Sequence, residues 1–193
     1  MTDTTDWDAE AAAFDGEPDH GLTQPSLRSA WIALLSGLLP AAPARVADMG
    51  CGTGTLTHLL AEQGHIVDGL ELSEEMLSRA RKKTKGLSGV RIIKGDANEP
   101  ALEPGSYDVV LSRHVLWAMR NPPEALSRWR SLLRPGGRLV LVEGRWSTGA
   151  GLPSSATLEY LDALGMSARS HVLSSEDLWG RPIEDERYAV VAT

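Results

Sequence analysis

The order of strand-like and helix-like segments predicts an α/β fold, a doubly wound and mostly parallel sheet with helices on both faces. Three observations carry this reading. Short aliphatic runs alternate with segments of helical apolar spacing, a glycine-rich loop joins the first run to the helix after it, and acidic residues recur at the ends of successive runs. With 193 residues, 42% hydrophobic and 23% charged, the chain is sized for one domain that buries its own core. Its single cysteine, Cys51, leaves no intrachain disulfide and no CxxC pair for a structural zinc.

Residues 1–24 are acidic, punctuated by Gly and Pro and weakly periodic, which reads as a mobile lead-in or lid ahead of a domain over 25–193. Pro25 can open a helix whose apolar positions Leu27, Ala30, Trp31, Leu34, Leu35 and Leu38 share a face before Pro40 and Pro43. Arg45 to Met49 is the first strand. Thr53 to Gln63 is a helix stopped by Gly64, and His65 to Leu70 is the second strand. Ser73 caps the next helix, with Glu74 and Glu75 in its first turn and a basic run up to Lys85 near its end. The helix dipole suffices to explain that charge run.

Val90 to Lys94, Tyr107 to Ser112 and Arg138 to Glu143 are the third, fourth and fifth strands. Between the last two, Asn121 and Pro122 start a helix with Leu126, Trp129, Leu132 and Leu133 inward, and Pro135-Gly136-Gly137 ends it. Residues 154–165 are helical by spacing, and Ala168 to Leu173 and Tyr188 to Ala192 are two closing strands.

The strongest chemical signal is Val46-Ala47-Asp48-Met49-Gly50-Cys51-Gly52-Thr53-Gly54, at the turn from strand to helix where open parallel sheets bind ligands. A dinucleotide loop reads GxGxxG and aims a helix N-terminus at a pyrophosphate. Here the spacing is GxGxG, and a carboxylate stands two residues before the first glycine. Negative charge repels a phosphate, whereas it suits a ligand with an ammonium group and no phosphate, such as S-adenosylmethionine. Glu71, ending the second strand, suits ribose hydroxyls, and Asp96 in Lys94-Gly95-Asp96-Ala97-Asn98 suits an adenine edge.

With VADMGCGTG at 46–54, GLELSEEML at 69–77, KGDANE at 94–99, YDVVLSRHVLWAM at 107–119 and LRPGGRLVLVEG at 133–144, the chain resembles the class I S-adenosylmethionine-dependent methyltransferases. The resemblance runs from about Leu27 to Thr193. It implies a Rossmann-like sheet of seven strands whose last is antiparallel, and an enzyme that methylates a small molecule, of the kind met in secondary metabolism. It also implies that Asp48, Met49, Gly50, Cys51 and Gly52 serve the methionyl end, that Glu71 holds the ribose, and that Leu72 and Met76 pack near the adenosine. Asp96, Ala97 and Asn98 would read adenine, and Ser112 and Arg113 would face the methionyl part or the acceptor. Arg28 either pairs with the cofactor carboxylate or is a surface arginine.

Methyl transfer from a sulfonium needs alignment and dryness more than a covalent residue. For an acceptor hydroxyl that needs a base, His114 beside the cleft and His20 in the lead-in are the candidates, the alternative for each being a plain structural role. Phe14, Trp117, Glu143, Arg145 and Trp146 are candidate acceptor contacts. No His and carboxylate cluster shows ligand spacing along the chain, so no metal is expected.

A net charge of −7 with scattered basic residues argues against nucleic acid as a partner. The longest apolar run is too short for a membrane span, and the acidic N-terminus is unlike a signal peptide, which reads as a cytoplasmic protein, monomer or homodimer. The competing readings are a nucleotide-cofactor oxidoreductase, disfavoured by Asp48, and a non-catalytic module that binds S-adenosylmethionine.

Overall fold

The computed structural model describes residues 4–193, with side chains from Trp7 onward. In chain order its elements are α1 (Thr4–Glu10), a 3₁₀ turn (Phe14–Gly16), α2 (Pro18–Gly21), α3 (Pro25–Leu38), β1 (Arg45–Met49), α4 (Thr55–Glu62), β2 (Ile66–Glu71), α5 (Glu74–Lys83), β3 (Val90–Lys94) and β4 (Tyr107–Arg113). A second 3₁₀ turn (Leu116–Ala118) follows, then α6 (Pro122–Leu132), β5 (Leu133–Arg145), α7 (Ser154–Ala163), β6 (Ala168–Val172), α8 (Glu176–Trp179) and β7 (Glu186–Ala192).

The strands form one seven-stranded sheet in the order β3-β2-β1-β4-β5-β7-β6. Pairing is parallel from β3 through β5, and β7 runs antiparallel to both β5 and β6. Alternation along the strands sends successive residues to opposite faces, so each face needs its own helices. On one face Val46, Val67, Val109, Val140 and Val142 pack with Leu27, Trp31 and Leu35 of α3 and Leu56, Leu59 and Leu60 of α4. On the other, Ala47, Met49, Val110, Leu139 and Leu141 pack with Leu126 and Trp129 of α6 and Leu161 of α7. The order reverses between β1 and β4, which opens a crevice at the carboxyl ends of these two strands.

At the β1 to β4 side of the sheet, Asp68 is a buried cross-link. It accepts from Arg91 Nε and Nη2, each at 2.6 Å, from the Tyr107 hydroxyl at 2.7 Å and from Arg45 at 3.4 Å. Burial opposes its charge, but the Arg91 and Tyr107 hydrogen bonds outweigh burial and hold the carboxyl below its usual range.

Two departures from the sequence expectation have physical causes. The lead-in is not an unstructured stretch over its described length: α1, the 3₁₀ turn and α2 pack on the body, with Ala11, Asp19 and Leu22 buried. The Pro135-Gly136-Gly137 breaker does not separate α6 from a strand beginning at Arg138. β5 starts at Leu133, pairs with Tyr107, and shifts register before Val109 meets Arg138. Gly136 has φ 81, and a Cβ on Gly137 would lie 2.9 Å from the Tyr107 carbonyl oxygen, so the glycines let the strand absorb the irregularity. Among the described residues, no helix is long and apolar enough to cross a membrane.

Candidate active site

The crevice at the ends of β1 and β4 opens into a cavity of about 430 Å³. Its floor is the loop after β1. Gly50 and Gly52 have φ 65 and 56, and a Cβ on Gly50 would sit 2.6 Å from Val115 Cγ2, so the glycine allows both the turn and the approach of the β4 loop. Glu71 at the end of β2 ties this loop down. Its Oε2 accepts from Gly52 N at 2.9 Å, and its Oε1 accepts from Leu72 N at 2.7 Å and Ser73 N at 2.9 Å.

Asp48 is 2% exposed, with Oδ2 accepting from the Thr57 hydroxyl at 2.6 Å. Burial dominates its environment and pushes its carboxyl up to about 6. The side chain lines the cavity, and no salt-bridge partner reaches it among the described residues. The same burial pushes the neighbouring Cys51 thiol well above its usual range, so Cys51 is a poor nucleophile. At the far end of the cavity Asp96 Oδ1 accepts from both the backbone and the side-chain nitrogen of Asn98, each at 2.8 Å, which fixes the loop that carries Ala97.

The N-terminal segment roofs the cavity and is latched at three points. Asp8 accepts from the Ser73 hydroxyl at the N-cap of α5. Asp15 meets Lys83 Nζ at 2.9 Å and accepts from the Thr53 hydroxyl at 2.5 Å, while Lys83 also donates to Thr55 at 2.6 Å. Arg113, ending β4, donates to the backbone oxygens of Asp19 at 2.5 Å and His20 at 3.4 Å. These latches bring Phe14 and His20, stacked at 4.2 Å, over the glycine loop, with Phe14 Cε1 3.5 Å from where a Gly52 Cβ would be.

His114 occupies the left-handed region at φ 59, uncommon for a residue with a Cβ. Its ring stacks on Trp179 at 5.8 Å and meets Trp146 edge-on at 5.2 Å, with the His20 ring 6.4 Å away. Burial, with Arg113 beside it, holds the imidazole well below its usual value, and burial likewise lowers His20. Glu143 explains the turn. This wholly buried carboxyl accepts through Oε1 from Val115 N at 3.0 Å and Leu116 N at 2.8 Å, and burial pushes it up to about 7.

Of the residues singled out from sequence, Phe14, His20, Asp48, Gly50, Cys51, Gly52, Glu71, Leu72, Met76, Asp96, Ala97, Asn98, Arg113, His114, Trp117 and Trp146 line this one cavity. Others do not. Arg28 pairs with Glu62 on α4, away from the cavity. The Met49 side chain packs in the sheet core, Ser112 is buried with its hydroxyl 3.5 Å from Glu143, and Arg145 is exposed as the last residue of β5. Glu143 supports the loop from beneath rather than meeting an acceptor. The latch residues Asp15 and Lys83 were missed, because a lysine at a helix end has a sufficient local explanation. Asp19, beside His20, was missed with them, and the two pair at 3.9 Å.

Residues 47–141 match the family model described as a methyltransferase domain. The chain is 40% identical over 111 residues to an uncharacterised methyltransferase of Mycobacterium tuberculosis, covering 58% of this chain and 43% of that protein. It is 33% identical over 138 residues to a ubiquinone biosynthesis O-methyltransferase of Xanthomonas euvesicatoria, covering 70% of this chain and 54% of that one. An uncharacterised 37.1 kDa protein in transposon TN4556 of Streptomyces fradiae is 37% identical over 119 residues, 60% of this chain and 32% of the relative. The chain thus spans about a third to a half of the length of these relatives. Among solved structures, an S-adenosylmethionine-dependent methyltransferase from Mesorhizobium loti aligns with a TM-score of 0.66 at 22% identity, over 83% of this chain and 96% of that one. The [4+2]-cyclase SpnF aligns at 0.72 with 21% identity, over 84% and 79%.

Glu143→Ala removes the acceptor for two backbone amides, so the Val115 and Leu116 amides should exchange with deuterium markedly faster and stability should fall by roughly 2 to 3 kcal/mol. Glu143→Gln keeps an acceptor oxygen and should restore most of the protection; equal loss in both variants would show that the carboxyl does not hold the loop.

Proposed function

We propose that this chain, whose residues 47–141 match a methyltransferase-domain family model, is a class I S-adenosylmethionine-dependent methyltransferase that moves a methyl group from S-adenosylmethionine to a small organic acceptor held beneath its N-terminal segment. The observation that carries the proposal is that one cavity brings the strand-end acids Asp48, Glu71 and Asp96 together with the rings of Phe14, His20, His114, Trp117 and Trp146.

The strand-end acids fit the cofactor. Asp48 is a buried acid with a hydroxyl donor and, among the described residues, no salt-bridge partner; the Arg113 guanidinium favours its charge only through space, and an ammonium group would complete the environment. Glu71 stands at the cavity wall with both oxygens anchored by loop amides, where it would take ribose hydroxyls. Asp96, Ala97 and Asn98, with Leu72 and Met76, would enclose the base. When bound, S-adenosylmethionine supplies an electrophilic methyl on its sulfonium.

The chain's own task is then positioning and exclusion of water. Trp117, Trp146 and Phe14 wall the acceptor end with apolar surface and suit a flat organic molecule. His114 is the imidazole placed to take the proton of an acceptor hydroxyl, and His20 is the second. The name of the Xanthomonas relative, an O-methyltransferase of ubiquinone biosynthesis, accords with a small acceptor. The latches through Asp8, Asp15 and Arg113 make residues 4–24 the lid of this site. Its small size and its place over the glycine loop suit a small acceptor better than a polymer.

Two outcomes test this reading. Burial pushes the Asp48 carboxyl up to about 6, and an ammonium-bearing ligand favours the carboxylate, so binding below that pH must expel a proton. Affinity for S-adenosylhomocysteine, measured by calorimetry, should fall about tenfold per unit below pH 6 and level off above it; Asp48→Asn should bind weakly with no such slope, and an unchanged slope would remove Asp48 from the ligand. Second, deleting residues 1–20 should leave the circular dichroism of the body intact and lower transfer of labelled methyl to a panel of small aromatic hydroxy acceptors. Undiminished turnover on any acceptor would reject the lid, and cofactor binding with no transfer to any acceptor would favour a binding module instead.

A further inference from the structure

We propose that Asp19, His20 and His114 form a binding site for one divalent transition-metal ion. Each offers a donor atom, and the three atoms lie within 4.8 Å of one another. The spacing of these residues along the chain gave no sign of this, since α2 and the turn after β4 meet only when the N-terminal segment folds over the cavity.

Several features separate this group from a chance meeting of polar residues. His20 Nδ1 and His114 Nε2 are both buried, and neither has a hydrogen-bond partner among the described residues. Buried polar nitrogens are ordinarily satisfied, so two orphans on facing imidazoles call for a missing partner. Asp19 is buried as well, and its carboxylate accepts no hydrogen bond among the described residues; the closest group is His20 Nε2 at 3.9 Å. Arg113 and Arg187 are the nearby cations that oppose an ion, and the Arg187 guanidinium is paired with Asp185. The Arg113 guanidinium is committed to the backbone oxygens of Asp19 and His20 and faces the Trp31 ring at 5.1 Å, which leaves the Asp19 carboxylate unclaimed.

Two imidazoles and one carboxylate suit zinc, cobalt, nickel or iron better than magnesium or calcium, which favour oxygen ligands. Donors about 2.0 to 2.2 Å from one ion lie roughly 3.5 Å apart, so the widest pair would contract by roughly 1 to 1.5 Å. That contraction would draw α2 towards the end of β4. All three residues line the cavity, so the positions left open on the ion would face the acceptor end, where an oxygen or nitrogen donor could occupy them. With the ion bound, both imidazoles serve as ligands and not as bases. Ion binding and the base roles proposed above are alternatives for the same two rings, and the ion is tested by binding alone, without a transfer assay.

The test uses the full chain, stripped with chelator and titrated with Zn²⁺ by calorimetry and with Co²⁺ by visible absorption. One ion per chain is expected, with cobalt d–d bands of low coordination number. His20→Ala, Asp19→Asn and His114→Ala should each weaken binding at least tenfold while keeping the far-ultraviolet circular dichroism of the parent; His171→Ala, on exposed β6, should bind as the parent does. If His114→Ala misfolds, the two α2 variants decide. Uptake that is absent, that exceeds one ion without saturating, or that survives in the His20→Ala and Asp19→Asn variants would overturn the site.

Discussion

The site is organised around an acid that the fold buries without a salt-bridge partner among the described residues and that Arg113 offsets only in part. Asp48 sits one residue before the end of β1, the strand at which the sheet order reverses, and among the described residues its carboxylate hydrogen-bonds the Thr57 hydroxyl from α4. Desolvation raises its titration to about 6, so the unliganded protein carries an acid poised to gain a cation. The other features follow from placing that acid there: glycines that let the loop turn beside it, Glu71 gripping the loop amides, and a β4 loop brought within contact of Gly50. A phosphate-bearing cofactor would meet repulsion at this point, whereas the ammonium of an amino acid moiety would meet a partner.

A second layer of structure exists to hold the β4 loop. Glu143 hangs beneath it on β5 and fixes the Val115 and Leu116 amides, and this lets His114 hold a left-handed conformation with its ring against Trp146 and Trp179. Strain at one residue is tolerated where neighbours over-determine it. Arg187 faces both of these tryptophan rings, at 5.2 Å from each, while its guanidinium is paired with Asp185, so the aromatic wall rests on a fixed cation. The rigidity of the aromatic wall therefore comes from β5 and β7, while residues of the N-terminal segment line the cavity opposite it.

Much of this was legible in the sequence because local chemistry and global fold agree there. The alternation of Val46 with Ala47 and of Val140 with Leu141 dictates two buried faces, and GxGxG after a strand announces the crevice. Asp48, Glu71 and Asp96 were readable as strand-end acids. What was not readable depended on pairings between distant segments. Lys83 looks complete as a helix-end cation until Asp15 is folded against it, and Glu143 looks like an acceptor contact until the β4 loop is seen to bond it from above. Arg28 shows the converse error, since a plausible cofactor ligand on α3 is claimed by Glu62 on α4. Pro135-Gly136-Gly137 read as a full break because the rule for helix termination ignores a strand that tolerates a register shift.

The account rests on Asp48 recognising an ammonium group, and a double-mutant cycle measures that pairing directly. S-adenosylhomocysteine and an analogue lacking only its amino group are titrated by calorimetry into the parent and into Asp48→Asn at pH 7.5. A coupling of about 1.5 kcal/mol or more between the carboxylate and the amino group is predicted. Additive losses, with no coupling, would contradict the account.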